Sequence, residues 1–310
     1  MKPAGLVIIN PAAGALHASH VRRDIARRIA AITDGTVIET SGPGHAQELA
    51  REHAPRVDRI VVVGGDGTAN EAANGVLESS CPERPLALVP LGTGNDFARA
   101  LGHTDPDVAL RAIADGYVRS VDVLRVDQLA QRGTAPTRRY ALIYVGIGFP
   151  ADVVEAVGPW TKKLLGSKRC YTFGSLVAIL RRRDFEAAIS CEGLERTGAF
   201  NMVWVSNIAE LAGKTMHLSP GANFDDGRME IGALDSVGRL TLLRTLSGIL
   251  SGGTHVGMHH VRYTTGTDLR VNTPVPQPMI IDGELWGRSP YRVSVGTTRL
   301  HVVVPSPMTK

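Results

Sequence analysis

The chain has 310 residues, 43% hydrophobic and 21% charged, with a formal net charge of +4. That length suits two domains with cores of their own, and the composition excludes disordered, collagenous and disulfide-stapled classes. No run of about 18 apolar residues occurs, which excludes a spanning helix, and the apolar part of residues 1–10 is too short for a signal peptide.

Residues 6–9 are an apolar strand, broken by Asn10-Pro11-Ala12-Ala13-Gly14. Val21, Ile25, Ile29 and Ile32 then fall on one helix face, with Arg22, Arg23, Arg27 and Arg28 largely off it as a solvated surface. Residues 36–40 form a second strand, 41–44 a loop, and Ala46, Leu49, Ala50 and His53 mark a short helix. Residues 60–63 (IVVV) run into Gly64-Gly65-Asp66-Gly67-Thr68, and a helix is predicted from Ala69 through Leu77. A buried strand, a glycine turn and a helix start make a phosphate cradle, because backbone N–H groups point at the ligand and no Cβ obstructs it. Asp66 repels phosphate unless a cation lies between them, which points to a nucleotide with Mg2+. A fourth strand, 86–89, ends in PLGTGNDFAR at 90–99, a second glycine loop that also enters a helix. Pro106 opens a helix that Gly116 closes.

Alternating strands and helices up to this point predict a doubly wound parallel sheet, the nucleotide-binding domain of residues 1–120. Both glycine loops leave the carboxyl ends of strands, where open α/β sheets bind ligands. Beyond residue 117 short strands dominate: 117–126, 140–146, 186–191, 199–206, 229–234, 261–265, 269–271, 279–281, 291–295 and 300–304. Residues 127–139 read as a polar hairpin tip, and helical segments interrupt near 151–181 and 236–252. Residues 121–310 are therefore expected to be a mainly antiparallel β-sandwich domain with a helical insertion, with a C-terminal tail free to return to the first domain.

Cys81, Cys170 and Cys191 make an odd count without a CxxC pair, as expected for reduced thiols in a cytoplasmic protein with no zinc site. His255, His259 and His260 cluster in sequence, but no cysteine or carboxylate nearby completes a metal set. The mild basic charge suits a nucleoside triphosphate or an acidic membrane surface. Nucleic acid is not expected, since no finger, helix-turn-helix or aromatic–basic interleaving is present.

The series NPxxG at 10–14, GGDGT-x-NE at 64–71, PLGTGNDFAR at 90–99, Gly146-Ile147-Gly148-Phe149, SPGANFDDGRM at 219–229 and Asp282-Gly283-Glu284 resembles the diacylglycerol kinase catalytic-domain family, which also includes sphingosine and other lipid kinases. The motifs keep family order over nearly the whole chain. The resemblance implies an ATP- and Mg2+-dependent kinase acting on a lipid hydroxyl, diacylglycerol first, with sphingoid bases and other lipid alcohols as alternatives. It implies that Asn10, Pro11, Ala12, Thr40, Gly65, Asp66, Gly67, Thr68, Ala69, Asn70, Glu71 and Thr93 contact ATP and its Mg2+. It places Asp96 near the acceptor and makes Glu284 the proton acceptor, with Asp282 beside it. It assigns a second, structural Mg2+ to the carboxylate of Asp226 and to backbone carbonyls of Asn223 and Arg228. In this sequence Ala12 and Ala13 replace a serine-containing first loop, and Lys214 stands where a glycine run is common; both leave the acceptor open.

Two rivals remain at this level. NAD kinase and phosphofructokinase-like proteins share a GGDG turn but not PLGTGNDFAR. A silent lipid- or nucleotide-binding protein need not keep Asp66, Asp96, Asp226 and Glu284. In residues 151–183, apolar side chains such as Trp160, Leu164 and Leu176 alternate with Lys162, Lys163, Lys168, Arg169 and Arg181–Arg183. That pattern fits either peripheral contact with an anionic inner-membrane surface or internal packing. The sequence leaves the oligomeric state, a homodimer included, open.

Overall fold

A computed structural model of the chain describes residues 2–129, 135–157, 173–181 and 183–306. It divides into two compact units, residues 1–121 with 299–310, and residues 122–298.

The first unit is built on a six-stranded sheet. Its strands are β1 (Ala4–Ile9), β2 (Asp34–Glu39), β3 (Arg59–Gly64), β4 (Leu86–Pro90), β5 (Val118–Asp122) and, from the far end of the chain, β17 (Arg299–Val303), in the order β2-β1-β3-β4-β17-β5. The pairs β1–β2, β1–β3, β3–β4 and β4–β17 are all parallel. Strands β3 and β4 are buried along nearly their whole length, which explains their continuous apolar sequence. Helices α1 (Ser19–Ala30), α2 (His45–His53), α3 (Asp66–Leu77), α4 (Asp96–Ala100) and α5 (Pro106–Asp115) connect them. Helix α5 starts at Pro106 and ends before Gly116 as its sequence predicts, and it is capped at both ends. The Asp105 side chain accepts from Val108 N at 2.9 Å, and Gly116 takes a φ of 72°. On one side of the sheet Val7, Ile9, Val61, Val63, Ala87 and Val89 pack with Ile25, Ile29 and Ile113.

The second unit is an antiparallel, sandwich-like sheet of 11 strands. In chain order these are β6 (Leu124–Gln128), β7 (Thr137–Ala141), β8 (Tyr144–Gly148), β9 (Phe185–Cys191), β10 (Leu194–Ser206), β11 (Met229–Asp235), β12 (Val261–Gly266), β13 (Asp268–Asn272), β14 (Pro278–Ile281), β15 (Glu284–Arg288) and β16 (Tyr291–Ser294). Helix α6 (Phe149–Ala156), a helix over residues 173–181 (α7) and α8 (Arg239–Leu250) accompany them. The core centres on Val145, Ile147, Phe200, Val203, Ile231 and Met279.

Four sequence expectations are revised, the first being the single strand over 140–146, which is the end of β7 and the start of β8. The single strand over 117–126 is two strands that part at Val123, one in each sheet. The helical stretch 151–181 contains α6, which begins earlier at Phe149, and α7. Strand β15 was absent from the expected set; its burial pattern is exposed at four of five positions, so it carries little apolar signal. Of the basic and apolar residues singled out in 151–183, those at 158–172 and 182 lie outside the described residues, as does Cys170. No helix among the described residues is long and apolar enough to cross a membrane.

Candidate active site

In the first unit the ends of β1, β3 and β4 lie side by side, because Ile9 pairs with Val63 and Gly64 with Pro90. The three loops that follow are stitched together by their backbones. Asn10 N donates to Val63 O at 3.0 Å, and Leu91 N and Gly92 N donate to Gly64 O at 2.9 and 3.1 Å. Contact is so close that a Cβ on Gly92 would lie 2.4 Å from Gly65 Cα, and one on Gly14 would lie 2.2 Å from Leu91 O. The glycines here are steric requirements before they are ligand contacts. Asn95 closes the second loop in a left-handed conformation, with a φ of 55°. Its side chain accepts from Gly92 N at 3.0 Å and donates to Gly92 O at 2.9 Å.

Asp66 opens α3 beneath this loop. Its Oδ1 accepts from Phe97 N at 3.2 Å, and a Cβ on Gly94 would meet its Oδ2 at 2.8 Å. Burial, and secondarily the neighbouring Asp96 carboxylate, push the Asp66 carboxyl above its ordinary range, against the pull of the amides at 95–97. A recess beside it is lined by Gly64, Gly65, Asp66, Pro90, Asn95 and Ala98. Two carboxylates in one place, at a helix start between glycine loops, suit a dication beside phosphates. Mg2+ takes one or two carboxylates and completes its shell with phosphate and water oxygens, so a full protein cage is not required. No group of three His, Cys, Asp or Glu side chains among the described residues is arranged to hold a metal.

The other predicted nucleotide contacts gather around the same loops but divide by burial. Asn10 Nδ2 donates to Thr68 Oγ1 at 2.8 Å, and Asn10 Oδ1 accepts from Ala12 N at 2.9 Å, which shapes the Asn10-Pro11-Ala12 turn. Thr40 follows β2 and donates its N–H to Ile9 O at 2.8 Å. Gly65 and Gly67 are half-buried, and Thr93 is exposed. Ala69 and Asn70 are buried in α3, where Asn74 Nδ2 donates to Asn70 O at 2.8 Å. Glu71 spends its carboxylate on α2: Oε1 accepts from Gly44 N at 2.8 Å and Oε2 from Ala46 N at 3.3 Å. These last three hold the site together from behind.

In the second unit, Asp282 and Gly283 form the two-residue turn between β14 and β15, with φ of 49° and 86°. Positive φ at both positions is the twist-matched hairpin turn that Asp-Gly favours. Glu284 follows as the exposed first residue of β15. The Asp282 side chain reaches back across the sheet: Oδ2 accepts from Leu142 N at 2.8 Å, and Oδ1 from Ile143 N and Tyr144 N at 2.9 and 3.0 Å. Asp282 is therefore engaged in fixing the β7–β8 connection, and Glu284 is the carboxylate of the pair that faces outward.

The DDG loop lies at residues 223–228. Asp226 Oδ1 accepts from Arg228 N at 2.9 Å, and Arg228 Nη2 donates to Thr265 O at 3.2 Å; Asn223, Asp226 and Arg228 are all exposed. Two organising residues went unnoticed in the sequence. Asp122, fully buried, accepts from Gly227 N through Oδ2 at 2.7 Å, and its own N–H donates to Phe224 O at 2.6 Å. Asn207, also fully buried, donates to Asp122 O at 2.8 Å and to Leu142 O at 3.0 Å. The available signal for Asp122 was a charge inside the apolar run Ser120-Val121-Asp122-Val123-Leu124. Behind the loop, Tyr263 OH accepts from Gly221 N at 3.3 Å and also bonds Glu230, whose carboxyl burial pushes up. His255 and His260 are buried as well, one against Leu218 O and the other against Thr245 Oγ1, so they serve packing.

A family model described as diacylglycerol kinase catalytic domain matches residues 4–126, and one described as YegS C-terminal NAD kinase beta sandwich-like domain matches residues 143–304, more than half of the chain. A protein named diacylglycerol kinase from Bacillus subtilis (strain 168) is 27% identical over 304 residues, covering 96% of this chain and 95% of its own. A protein named "Probable lipid kinase YegS-like" from Stenotrophomonas maltophilia (strain K279a) is 28% identical over 262 residues, with 81% of each chain covered. A crystal structure from Bacillus anthracis str. Sterne, described as a candidate diacylglycerol kinase, superposes with a TM-score of 0.81 at 25% identity, over 100% of this chain and 98% of that one. Yeast NADH kinase complexed with NADH shares the fold alone, with a TM-score of 0.54 at 11% identity over 99% of this chain and 85% of that one.

Proposed function

This chain belongs to the lipid-kinase family in which a diacylglycerol kinase catalytic domain precedes a YegS C-terminal NAD kinase beta sandwich-like domain, and from that premise we propose that it moves the γ-phosphate of ATP to the hydroxyl of a membrane lipid, diacylglycerol first. The observation that carries the reading is Asp66, a half-buried carboxylate beside Asp96, set between two glycine loops whose backbones touch. The residues fit Mg2+, which when bound would neutralise phosphate charge and orient the transferring group. Everything else falls to the chain. Asn10, Gly65, Gly67, Thr68 and Thr93 line or shape the phosphate-facing loops. Asp96 positions the acceptor. Glu284, outward-facing at the start of β15, accepts the proton of the lipid hydroxyl as oxygen attacks phosphorus. Asp282, beside it, holds the β7–β8 connection through the amides of Leu142, Ile143 and Tyr144. Asp226, with carbonyls at Asn223 and Arg228, is the place for a second, structural Mg2+, in a loop that Gly227 N anchors on the Asp122 carboxylate.

The test is a labelled-ATP transfer assay over diacylglycerol, sphingoid bases, other lipid alcohols and NAD. Glu284→Gln should lower kcat by about two to four orders of magnitude with little change in the KM for ATP. Transfer to NAD and to no lipid would overturn the reading, and full activity in Glu284→Gln would remove the proposed base.

A further inference from the structure

Two helices of the second unit turn apolar side chains outward. In α8, Leu242, Thr245 and Ile249 are buried, whereas Leu240, Leu243 and Leu250 are exposed, Leu240 by 76%. In α7, Ala178 and Ile179 are buried, whereas Phe173, Leu176 and Leu180 are exposed, Leu180 by 60%. The spacings i, i+3 and i+7 in α7, and i, i+3 and i+10 in α8, each make one stripe along one helix face. Arg239 Nη2 donates to Leu180 O at 2.9 Å and ties the end of α7 to the start of α8. Of the 11 large hydrophobics exposed among the described residues, six lie on these two helices. That is concentration rather than the scatter of an ordinary surface.

Charge selects the partner. Neither helix contains an Asp or Glu, while Arg181, Arg239 and Arg244 are exposed on them. Arg183 differs, because Asp152 and Glu155 accept its hydrogen bonds at 3.4 and 3.3 Å and offset its charge. A second copy of the chain would set arginines against arginines. An anionic bilayer would take the leucines into its headgroup–acyl boundary and the arginines at its phosphates.

We propose that α7 and α8 together form the face by which this protein docks, lying flat, on an anionic membrane. The inference rests on the lipid-kinase reading only for its purpose, since an acceptor dissolved in a bilayer must be met there. The experiment uses the full chain, sedimented with vesicles of phosphatidylglycerol and phosphatidylcholine in equal parts, beside Leu240→Ser/Leu243→Ser and Arg181→Gln/Arg244→Gln. The leucine variant should partition about tenfold or more less strongly. The arginine variant should lose about fivefold per charge, with a weaker dependence on salt. Thermal melts confirm that both are folded. Turnover of a short-chain, monodisperse diacylglycerol should be unchanged in both, and turnover of the long-chain lipid in vesicles reduced. Vesicle binding equal to wild type in both variants would overturn the proposal. So would a wild-type dimer that the leucine variant splits without loss of vesicle binding. If wild type phosphorylates no lipid, the kinase reading fails by itself, and sedimentation still decides the docking face.

Discussion

Asp282 separates a scaffolding carboxylate from a chemical one, and two substitutions read the difference. Its Oδ1 serves the amides of Ile143 and Tyr144 and its Oδ2 that of Leu142. A hydrogen bond to a charged acceptor contributes about 1.5–3 kcal/mol, and these three share one side chain, so they add less than singly. Asp282→Ala strands three amides, of which Leu142 and Ile143 belong to buried residues, and forces alanine to a φ near 49° at a further cost of about 1–2 kcal/mol. The expected loss is about 3–5 kcal/mol, a large fraction of a typical domain's stability of about 5–15 kcal/mol. Asp282→Asn keeps the oxygen that serves two amides and tolerates positive φ, so it should lose only about 1–2 kcal/mol. Because the chain has two units, unfolding need not be a single transition. Hydrogen exchange at the amides of 142–144 therefore gives the cleaner readout, alongside urea unfolding followed by circular dichroism. Faster exchange there, graded from Asn to Ala, is expected. Unchanged exchange and stability in Asp282→Ala, with activity lost, would refute the scaffolding argument and place this carboxylate in the chemistry.

Gly92→Ala drives a Cβ to within 2.4 Å of Gly65 Cα, so it should cost about 2–4 kcal/mol and weaken ATP binding together, as read by thermal melts with and without nucleotide. The raised Asp66 carboxyl contributes to stability below the ordinary carboxylate range, and that contribution is lost as pH rises through its folded value. Without Mg2+ and nucleotide, Asp66→Asn should therefore match wild type in acid and exceed it near neutrality; the opposite order in unfolding curves taken across pH would contradict the burial argument. Tyr263→Phe removes a partner from Gly221 N and from buried Glu230, which should cost about 1–3 kcal/mol and increase limited proteolysis within residues 219–228.

What the sequence made legible was whatever short range dictates. Gly65 and Gly92 are glycines because backbones collide there, and Asp282-Gly283 is a turn because both residues need positive φ. Apolar runs such as residues 60–63 become buried parallel strands for the same local reason. What stayed hidden depends on partners far along the chain. Asp122 and Gly227 are 105 residues apart, and Asn207 reaches back 85 and 65 residues to the carbonyls of Asp122 and Leu142. Nothing in a local window marks such pairs. The outward face of α8 was equally opaque: with leucine at Leu240, Leu242, Leu243, Leu246 and Leu250, periodicity does not say which side finds a partner. Glu71 was legible as part of a motif, yet its bonds to Gly44 and Ala46 give it a capping task that the motif does not state.

The position of β17 bears on how the protein is made. This strand pairs with β4 through Val302 and Leu86 and lies between β4 and β5, and His103 holds it by a 2.8 Å bond to Val303 O. β4 also delivers the second glycine loop. On the ribosome, the glycine loops are synthesised early, but the sheet that carries them keeps an open slot until residue 303 has emerged. Domains usually complete themselves from the N-terminus forward; this one waits for nearly the whole chain. A nascent chain stalled before residue 299 would carry both glycine loops and still lack the strand that lies between β4 and β5.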